Sequence, residues 1–247
     1  MMEWLEQIDK KKLPKHVAVI MDGNGRWAKS RKKPRVFGHK NGVKSVREVT
    51  EAAAELGIEY LTLYAFSTEN WKRPKLEVDA LMRLLVETLS KEVATLNKNN
   101  IQLQAIGDLD RLPGSTHKAL LKGIKDTASN NRMILNLALN YSAKWELTQA
   151  MRQIAEQVKA GTLAVEEIND KQVSRHLSTA KIPDPELLIR TSGETRLSNF
   201  MLWQLAYAEL YFTPVLWPDF RKDDFHEAIV NFQNRERRFG MISEQIH

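Results

Sequence analysis

The stretch HVAVIMDGNGRWA, from His16 to Ala28, joins an apolar run to a loop that contains an acid, two glycines and an arginine. The run is short and nearly continuous, which is typical of a parallel strand buried on both faces. Glycine loops after such strands commonly bind phosphates, because backbone N–H groups can approach the anion closely. Asp22 would repel a phosphate, so the acid in this loop needs an explanation of its own.

Similar apolar runs recur along the chain and alternate with segments of helical spacing. The predicted strands are His16–Met21, Tyr60–Phe66, Ile101–Ile106, Met133–Leu139 and Leu187–Arg190. The predicted helices are Val43–Leu56, Leu76–Leu96, Thr116–Ala128, Trp145–Val158 and Asp223–Phe239, with Gly57 and Gly161 as helix stops and residues 31–42 as loop. This alternation predicts a single α/β domain, whose parallel sheet of about six strands is flanked by helices.

Composition limits the class of protein. The 247 residues are 43% hydrophobic and 28% charged, which fits one globular domain. The chain has no cysteine, which excludes disulfides and favours a reducing, cytoplasmic setting. We find no apolar run long enough to span a membrane and no secretory signal, and we expect residues 1–14 to be a flexible segment before a domain at 15–247. The net charge of +6 favours anionic partners.

Four polar clusters follow predicted strands: DGNGRW at 22–27, STENWKRP at 67–74, NYSAKW at 140–145 and RTSGETRLSN at 190–199. Ligands of parallel sheets bind beyond the carboxyl ends of the strands, so these clusters predict one shared site. The clusters and nearby loops supply Arg35, His39, Arg73, Arg190 and Arg196. Arginine suits bidentate phosphate contacts, and this number of arginines indicates two polyphosphate groups.

Two other interpretations of the glycine loop are weaker. Gly23, Gly25 and Ala28 have the spacing of a dinucleotide-binding loop, but Asp22 would face the pyrophosphate, no acid ends the second strand and no helix is predicted to follow promptly. A calcium loop fails because Arg26 occupies a ligand position. A magnesium ion held by Asp22 and by substrate phosphates resolves the conflict.

Five motifs together resemble the cis-prenyltransferase family, most closely its bacterial undecaprenyl diphosphate synthases. They are HVAVIMDGNGRWA, GHKNG, LTLYAFSTENWKRP, RTSGETRLSNFMLWQLAYAELYF and LWPDF, and the resemblance runs from about Pro14 to Gly240. It implies an enzyme that uses Mg²⁺ to add isopentenyl diphosphate units, with cis double bonds, to an allylic diphosphate such as farnesyl diphosphate. The implied product is undecaprenyl diphosphate, a precursor of the lipid carrier for bacterial cell-wall synthesis.

The resemblance also implies roles for individual residues. Asp22 should engage the metal, and Asn70 matches the position proposed to assist proton removal. Because an amide is a weak base, a diphosphate oxygen or a metal-bound water is an alternative acceptor. Glu209 resembles a second magnesium-associated acid that approaches through a homodimer. The implied substrate-binding residues are Gly23, Asn24, Gly25, Arg26, Trp27, Arg35 and His39 near the allylic diphosphate, Ser67, Thr68, Glu69, Trp71 and Arg73 beside the reacting carbons, and Arg190, Arg196, Leu197 and Ser198 for isopentenyl diphosphate.

A growing polyprenyl tail needs a hydrophobic tunnel. One face of the predicted helix Leu76–Leu96 is apolar and either lines this tunnel or belongs to the ordinary core. The residues of this face are Leu81, Leu84, Leu85, Leu89, Val93 and Leu96. The small residue Ala65, next to the loop at 67–74, is a second candidate for the lining of this tunnel.

The apolar run NFMLWQLAYAELYF at 199–212 predicts a homodimer interface together with the last helix. The implied location is cytoplasmic, with transient contact at the inner face of the plasma membrane for product release.

Two positions depart from the commoner family pattern. Ser192 stands where glycine is frequent, and Thr195 stands where some members carry a basic residue.

Three other functions fit the sequence less well. Trans-prenyltransferases are all-helical proteins with two DDxxD motifs, and the nearest approach to such a motif in this sequence is the single segment at residues 223–227. A non-catalytic accessory subunit would lack Asp22 and the arginines. A nucleic-acid binder would not explain Asp22, so no nucleic acid is expected, and a cis-prenyltransferase of different product length stays open.

Overall fold

Six parallel strands form the central sheet of the computed structural model, which describes residues 4–237. The strands are β1 His16–Ile20, β2 Tyr60–Ser67, β3 Ile101–Ile106, β4 Met133–Tyr141, β5 Leu187–Arg190 and β6 Glu209–Phe212. Their order across the sheet is β3-β4-β2-β1-β5-β6. The predicted parallel α/β fold is confirmed, and the five predicted strands agree with β1 to β5 to within two residues at each end.

The sixth strand, β6, lies inside the apolar run at 199–212 and was not predicted as a strand. It pairs with β5 from Leu187 opposite Glu209 to Arg190 opposite Phe212 and forms an edge of the sheet. Residues 199–207 form turns before it, and Phe200 and Met201 are fully buried there. Part of the apolar run is therefore core of this chain.

Helices cover both faces of the sheet. They are α1 Asn24–Ser30, α2 Arg35–Leu56, α3 Lys75–Lys98, α4 Gly114–Asp126, α5 Ala143–Lys159, α6 Asp170–Arg175 and α7 Lys222–Gln233. Apolar side chains of α2, α3, α4 and α7 pack on one face, whereas α5 and the turns at 199–207 pack on the other. No helix within residues 4–237 is long and apolar enough to cross a bilayer.

The predicted loop at residues 31–42 is wrong from Arg35 onward, where α2 begins, and residues 31–34 alone separate α1 from α2. The helix α1 also begins directly after Gly23, where no helix was predicted. The glycines that favoured a loop serve close helix packing instead. A Cβ on Gly38 would lie 1.9 Å from the backbone oxygen of Asn24, and a Cβ on Gly42 would lie 2.6 Å from the Asn24 side-chain oxygen. Glycine at both positions lets α2 lie directly against α1.

The first described residues contact the last helix. Asp9 and Gln233 exchange two hydrogen bonds, with Asp9 N donating to Gln233 Oε1 at 3.1 Å, and Leu13 packs against the core. The flexibility predicted for residues 1–14 stays a prediction. The last helix ends at Gln233 rather than Phe239, and residues 238 and 239 lie outside the described part.

The order of the strands decides where a ligand can bind. The strand β1 lies at the centre, with β2 on one side and β5 on the other. The chain therefore leaves neighbouring strands in opposite directions at the carboxyl end of β1, which opens a crevice there. The residues that follow β1 and β5 begin at Met21 and Thr191 and border this crevice.

Candidate active site

Asp22 lies at the centre of the crevice and is held in one orientation. Its Oδ1 accepts a hydrogen bond from Gly23 N at 2.7 Å, and its Oδ2 accepts one from Arg190 Nη2 at 2.9 Å. The backbone of Asp22 bonds the Thr191 hydroxyl through both N–H and C=O, at 2.9 and 2.6 Å. Burial by itself would raise the pKa of Asp22, but these hydrogen bonds and the charges of Arg190 and Arg26 lower the pKa instead. The carboxyl is therefore ionised at neutral pH.

Arg190 joins the two loops that border the crevice. It is 3% exposed, and beside its ion pair with Asp22 it donates through Nη1 to Ser198 Oγ at 2.7 Å and to the backbone oxygen of Arg196. Its Nε has no hydrogen-bond partner among the described residues. A buried guanidinium with three fixed contacts positions the loop at 190–199 against Asp22.

A second carboxylate, Glu194, holds the exposed arginines of the same two loops. It pairs with Arg26 at 3.2 Å and with Arg196. Arg26 also donates to the hydroxyl of Ser192 at 2.5 Å. Ser192 adopts a left-handed backbone with φ of 77°, as the commoner glycine could, and its hydroxyl adds a contact that glycine lacks.

On the other side of the crevice, two arginines share one acid. Arg35 Nε and Arg73 Nη1 lie 3.3 and 3.2 Å from the same oxygen of Glu77. The Arg35 guanidinium covers the first turn of α1, because a Cβ on Gly25 would lie 2.9 Å from its central carbon. Neither Glu77 nor Thr191 was predicted as a site residue, although Glu77 follows Arg73 by four residues and Thr191 directly follows β5.

His39 lies between these arginines and the cavity described below. Burial, together with the positive charges of Arg73 and Arg35, lowers the pKa of His39 to about 4. The ring is therefore neutral at pH 7. Its Nε2 is buried and has no hydrogen-bond partner among the described residues. A bound anion would offset the arginine charges and supply a partner for this nitrogen.

The segment after β2 bridges to two other strand ends. Asn70 Oδ1 accepts from Ser67 N at 3.2 Å, so the amide oxygen is already engaged. Trp71 Nε1 donates to Asn140 Oδ1 at 2.7 Å, and Glu69 accepts from Asn199 Nδ2 at 2.8 Å. The four polar clusters thus converge on one mouth, as the sequence predicts.

A cavity of about 450 Å³ begins at this mouth and continues between α2, α3 and the sheet. Of the predicted site residues, Asp22, Asn24, His39, Ser67, Asn70, Arg73, Arg190, Arg196 and Ser198 line it. Deeper, its walls are apolar and include Ala65, Phe66, Leu81, Leu84, Leu85, Leu89, Leu96, Leu135, Leu137 and Leu139. Val93 is not among them and lies near Gly123 of α4.

Other predicted site residues do not line the cavity: Gly23, Gly25, Arg26, Trp27, Arg35, Thr68, Glu69, Trp71, Leu197 and Glu209. Trp27 was predicted to contact substrate, but its ring stacks on Phe37 and its Nε1 donates to Asp219 at 2.7 Å. The Arg31 guanidinium lies over the same indole, 3.7 Å from the ring centre. Trp27 therefore packs α1 against its neighbours.

Glu209 and Asp22 lie at opposite ends of the sheet within one chain. Glu209 begins β6, whereas Asp22 follows the carboxyl end of β1. Glu209 pairs with Arg235 at 2.9 Å. Among residues 4–237, no three His, Cys, Asp or Glu side chains cluster as a metal site. One ionised carboxylate at the mouth still fits Mg²⁺, which is commonly held by one or two carboxylates and substrate phosphates.

Comparison with known proteins places this chain in a family. Residues 20–240 match the family model described as "Putative undecaprenyl diphosphate synthase". The farnesyl-diphosphate-specific ditrans,polycis-undecaprenyl-diphosphate synthase of Vibrio vulnificus strain YJ016 is 53% identical over 97% of this chain and 96% of its own. The isoprenyl transferase of Bacillus subtilis strain 168 is 55% identical over 96% of this chain and 91% of its own.

The fold agrees with a solved structure as well. Lavandulyl diphosphate synthase from Lavandula x intermedia, crystallised with dimethylallyl diphosphate, superposes with a TM-score of 0.90 and 40% identity, over 93% of this chain and 99% of that one. The sequence comparisons and the fold comparison therefore agree on one family, and Asp22 and the arginines at the mouth of the cavity are consistent with it. The chain belongs to the undecaprenyl diphosphate synthase family of cis-prenyltransferases.

Proposed function

We propose that this chain extends farnesyl diphosphate with isopentenyl diphosphate units to form undecaprenyl diphosphate. One observation carries the proposal: the cavity joins a charged mouth to a long apolar interior. The mouth suits two diphosphates, and the interior suits a polyprenyl tail, because leaving the tail in water costs roughly 0.8 kcal/mol per CH₂.

The reaction assigns separate tasks to the residues at the mouth. The allylic C–O bond breaks, diphosphate leaves with the bonding electrons, and the double bond of isopentenyl diphosphate attacks the allylic carbon. The departing diphosphate is stabilised by Arg35, Arg73 and the N–H groups that follow Gly23, and the second diphosphate is oriented by Arg190 and Arg196. The apolar interior excludes water from the allylic carbon.

Asp22 is proposed to hold Mg²⁺ together with diphosphate oxygens, and the bound ion would neutralise charge on the leaving group. The proton lost from isopentenyl diphosphate needs an acceptor. Asn70 suits a positioning role better than a basic one, because its oxygen already accepts from Ser67 N. A diphosphate oxygen is the better acceptor, and Asn70 Nδ2 would orient it.

Transfer of label from isopentenyl diphosphate tests this function. We expect the purified chain to convert labelled isopentenyl diphosphate into a solvent-extractable product only when Mg²⁺ and an allylic diphosphate are both present. Label that stays water-soluble under all conditions would contradict the proposal and favour a non-catalytic subunit. Binding to nucleic acid with a steep salt dependence would instead favour a nucleic-acid-binding protein.

Product length is open to direct test at Ala65. This residue lines the cavity at an irregularity of β2, where the pairing with β4 shifts between Tyr64 and Phe66. Ala65→Leu should block the advancing chain and give shorter products, as chromatography of the dephosphorylated lipids would show. Ala160→Leu, at the exposed end of α5, is the control. An unchanged chain length from a stable Ala65→Leu enzyme would place the tail elsewhere.

A homodimer is proposed through the segment at 199–212 and the last helix. The edge strand β6 is half-buried, and Leu202 and Tyr207 before it are exposed. A second copy would cover this edge and carry Glu209 towards the partner's metal site. Sedimentation should show a dimer that Leu202→Glu weakens and Leu121→Glu, on α4, leaves intact. A fully active monomer would contradict both the dimer and the role of Glu209.

Membrane contact is proposed for the release step. The product is a lipid whose apolar tail must pass from the cavity into a bilayer, and the net charge of +6 favours an anionic cytoplasmic surface. This contact would be transient and peripheral.

A further inference from the structure

The walls of the cavity change character along α2 and α3. On the side of the two helices, Val43 and Val46 of α2 and Leu85 and Leu89 of α3 line the cavity. Farther from the mouth, this helix side also carries the polar residues Arg47, Thr50, Glu51, Glu92, Thr95 and Asn99, whereas the sheet side stays apolar with Ile101, Leu103 and Leu135. A polyprenyl tail that extends along the cavity would therefore pass a charged side wall.

Arg47 and Glu92 form a two-pronged ion pair at this transition. Arg47 Nη2 donates to Glu92 Oε1 at 2.5 Å, and Arg47 Nε donates to Glu92 Oε2 at 3.2 Å. The two side chains are 52% and 18% exposed, yet both line the cavity. The Arg47–Glu92 ion pair therefore separates the cavity from solvent at this position.

The same pair ties the two helices together. Arg35 and Glu77 join α2 and α3 at their first turns, and Arg47 and Glu92 join them about three turns farther along. Within residues 4–237, these are the two ion pairs that connect α2 with α3. The seam between them borders the cavity for the length that a growing tail would occupy.

We propose that Arg47 and Glu92 form a latch that closes the seam between α2 and α3 and limits the length of the product. The inference rests on the proposed function. An apolar tail pressed against the pair would remove water from two charges, which is unfavourable. A solvent-accessible ion pair is itself weak, so its removal should leave the fold intact and open the seam.

Variants of the pair test the latch through the length of the product. Arg47→Ala and Glu92→Ala should each lengthen the longest product by one isoprene unit or more. The charge-swapped double variant, Arg47→Glu with Glu92→Arg, should return it to the wild-type length. Glu55→Ala is the matched control, because it breaks an ion pair of α2 with Lys222 that lies off the cavity.

A cross-link separates opening of the seam from a simple gain in volume. The chain has no cysteine, so a short bis-maleimide will react only with an introduced pair, Arg47→Cys with Glu92→Cys. This double variant should make longer products before cross-linking and revert to the wild-type limit or below after it. Longer products from the cross-linked enzyme would overturn the latch.

The wild-type enzyme, assayed in parallel with farnesyl and isopentenyl diphosphates, keeps the two claims apart. If it forms no polyprenyl product, the proposed function fails and the latch fails with it. If it forms the product and both alanine variants give the wild-type length, the latch alone is wrong. A charge-swapped enzyme that keeps the longer product of the alanine variants would also overturn the latch.

Discussion

Asp22→Ala should reduce the Mg²⁺-dependent rate of condensation by about 100-fold or more, equivalent to about 3 kcal/mol on the barrier. Asp22 is an ionised carboxylate at a mouth otherwise built for anions, with its pKa lowered by Arg190 and Gly23 N against the effect of burial. Its loss removes the proposed metal ligand. Steady-state kinetics with labelled isopentenyl diphosphate would measure the change.

Two further variants make this result specific. Asp22→Asn keeps an oxygen that can accept from Arg190 but loses the charge, so it should need more Mg²⁺ for half-maximal activity. Asp126→Ala removes a surface carboxylate of α4 that pairs with Lys122, and it should leave the rate unchanged. A folded Asp22→Ala enzyme that retained most of its Mg²⁺-dependent rate would show that the metal is held elsewhere.

Arg190→Ala should lower kcat/KM for isopentenyl diphosphate by about 100-fold, because truncation of a buried, hydrogen-bonded charge commonly costs about 2–5 kcal/mol. The variant loses contacts with Asp22, Ser198 and the backbone of Arg196 together. We expect kcat to fall as well as KM to rise, since Asp22 loses its orientation. Thermal unfolding would show how much of the loss reflects stability.

Arg196→Ala provides the comparison. Arg196 is 64% exposed and pairs with Glu194 rather than Asp22, so its removal should raise KM for isopentenyl diphosphate with little change in kcat. The KM for the allylic substrate should change less. Equal increases in both KM values would contradict separate diphosphate sites.

The sheet could be predicted from the sequence because its central strands are buried on both faces. Strand β1 is buried at all of its residues, so its apolar run is continuous and its position is clear. Strand β6 was not recognised because it is half-buried and follows turns that are equally apolar. Local pattern could not separate the strand from the core-forming turn before it.

In the segment at 31–42, tertiary packing overrides the local preference of the sequence for a loop. Its two glycines and one proline favour a loop. The helix α2 nevertheless forms, because Pro34 precedes its first turn and Gly38 and Gly42 make room for Asn24. These glycines stabilise the helix only because Asn24 packs against them, and the local sequence does not show that Asn24 is their neighbour.

Part of the candidate site could be predicted from the sequence, and part of it could not. The convergence of Asp22, Arg73 and Arg190 follows from the parallel direction of the strands, which the alternation of strands and helices predicts. The ion pair between Asp22 and Arg190 and the course of the cavity depend on side-chain geometry, which spacing does not give. The substrate contact predicted for Trp27 stays a prediction, because a tryptophan beside a phosphate loop has the same sequence signature whether it packs or binds.

The mass of the lipid product decides whether this chain synthesises undecaprenyl diphosphate. The wild-type chain, supplied with Mg²⁺, farnesyl diphosphate and excess isopentenyl diphosphate, should accumulate a polyprenyl diphosphate with the mass of undecaprenyl diphosphate. The added units should carry cis double bonds in the NMR spectrum. A product that stops after one condensation, or one with trans double bonds, would contradict the account.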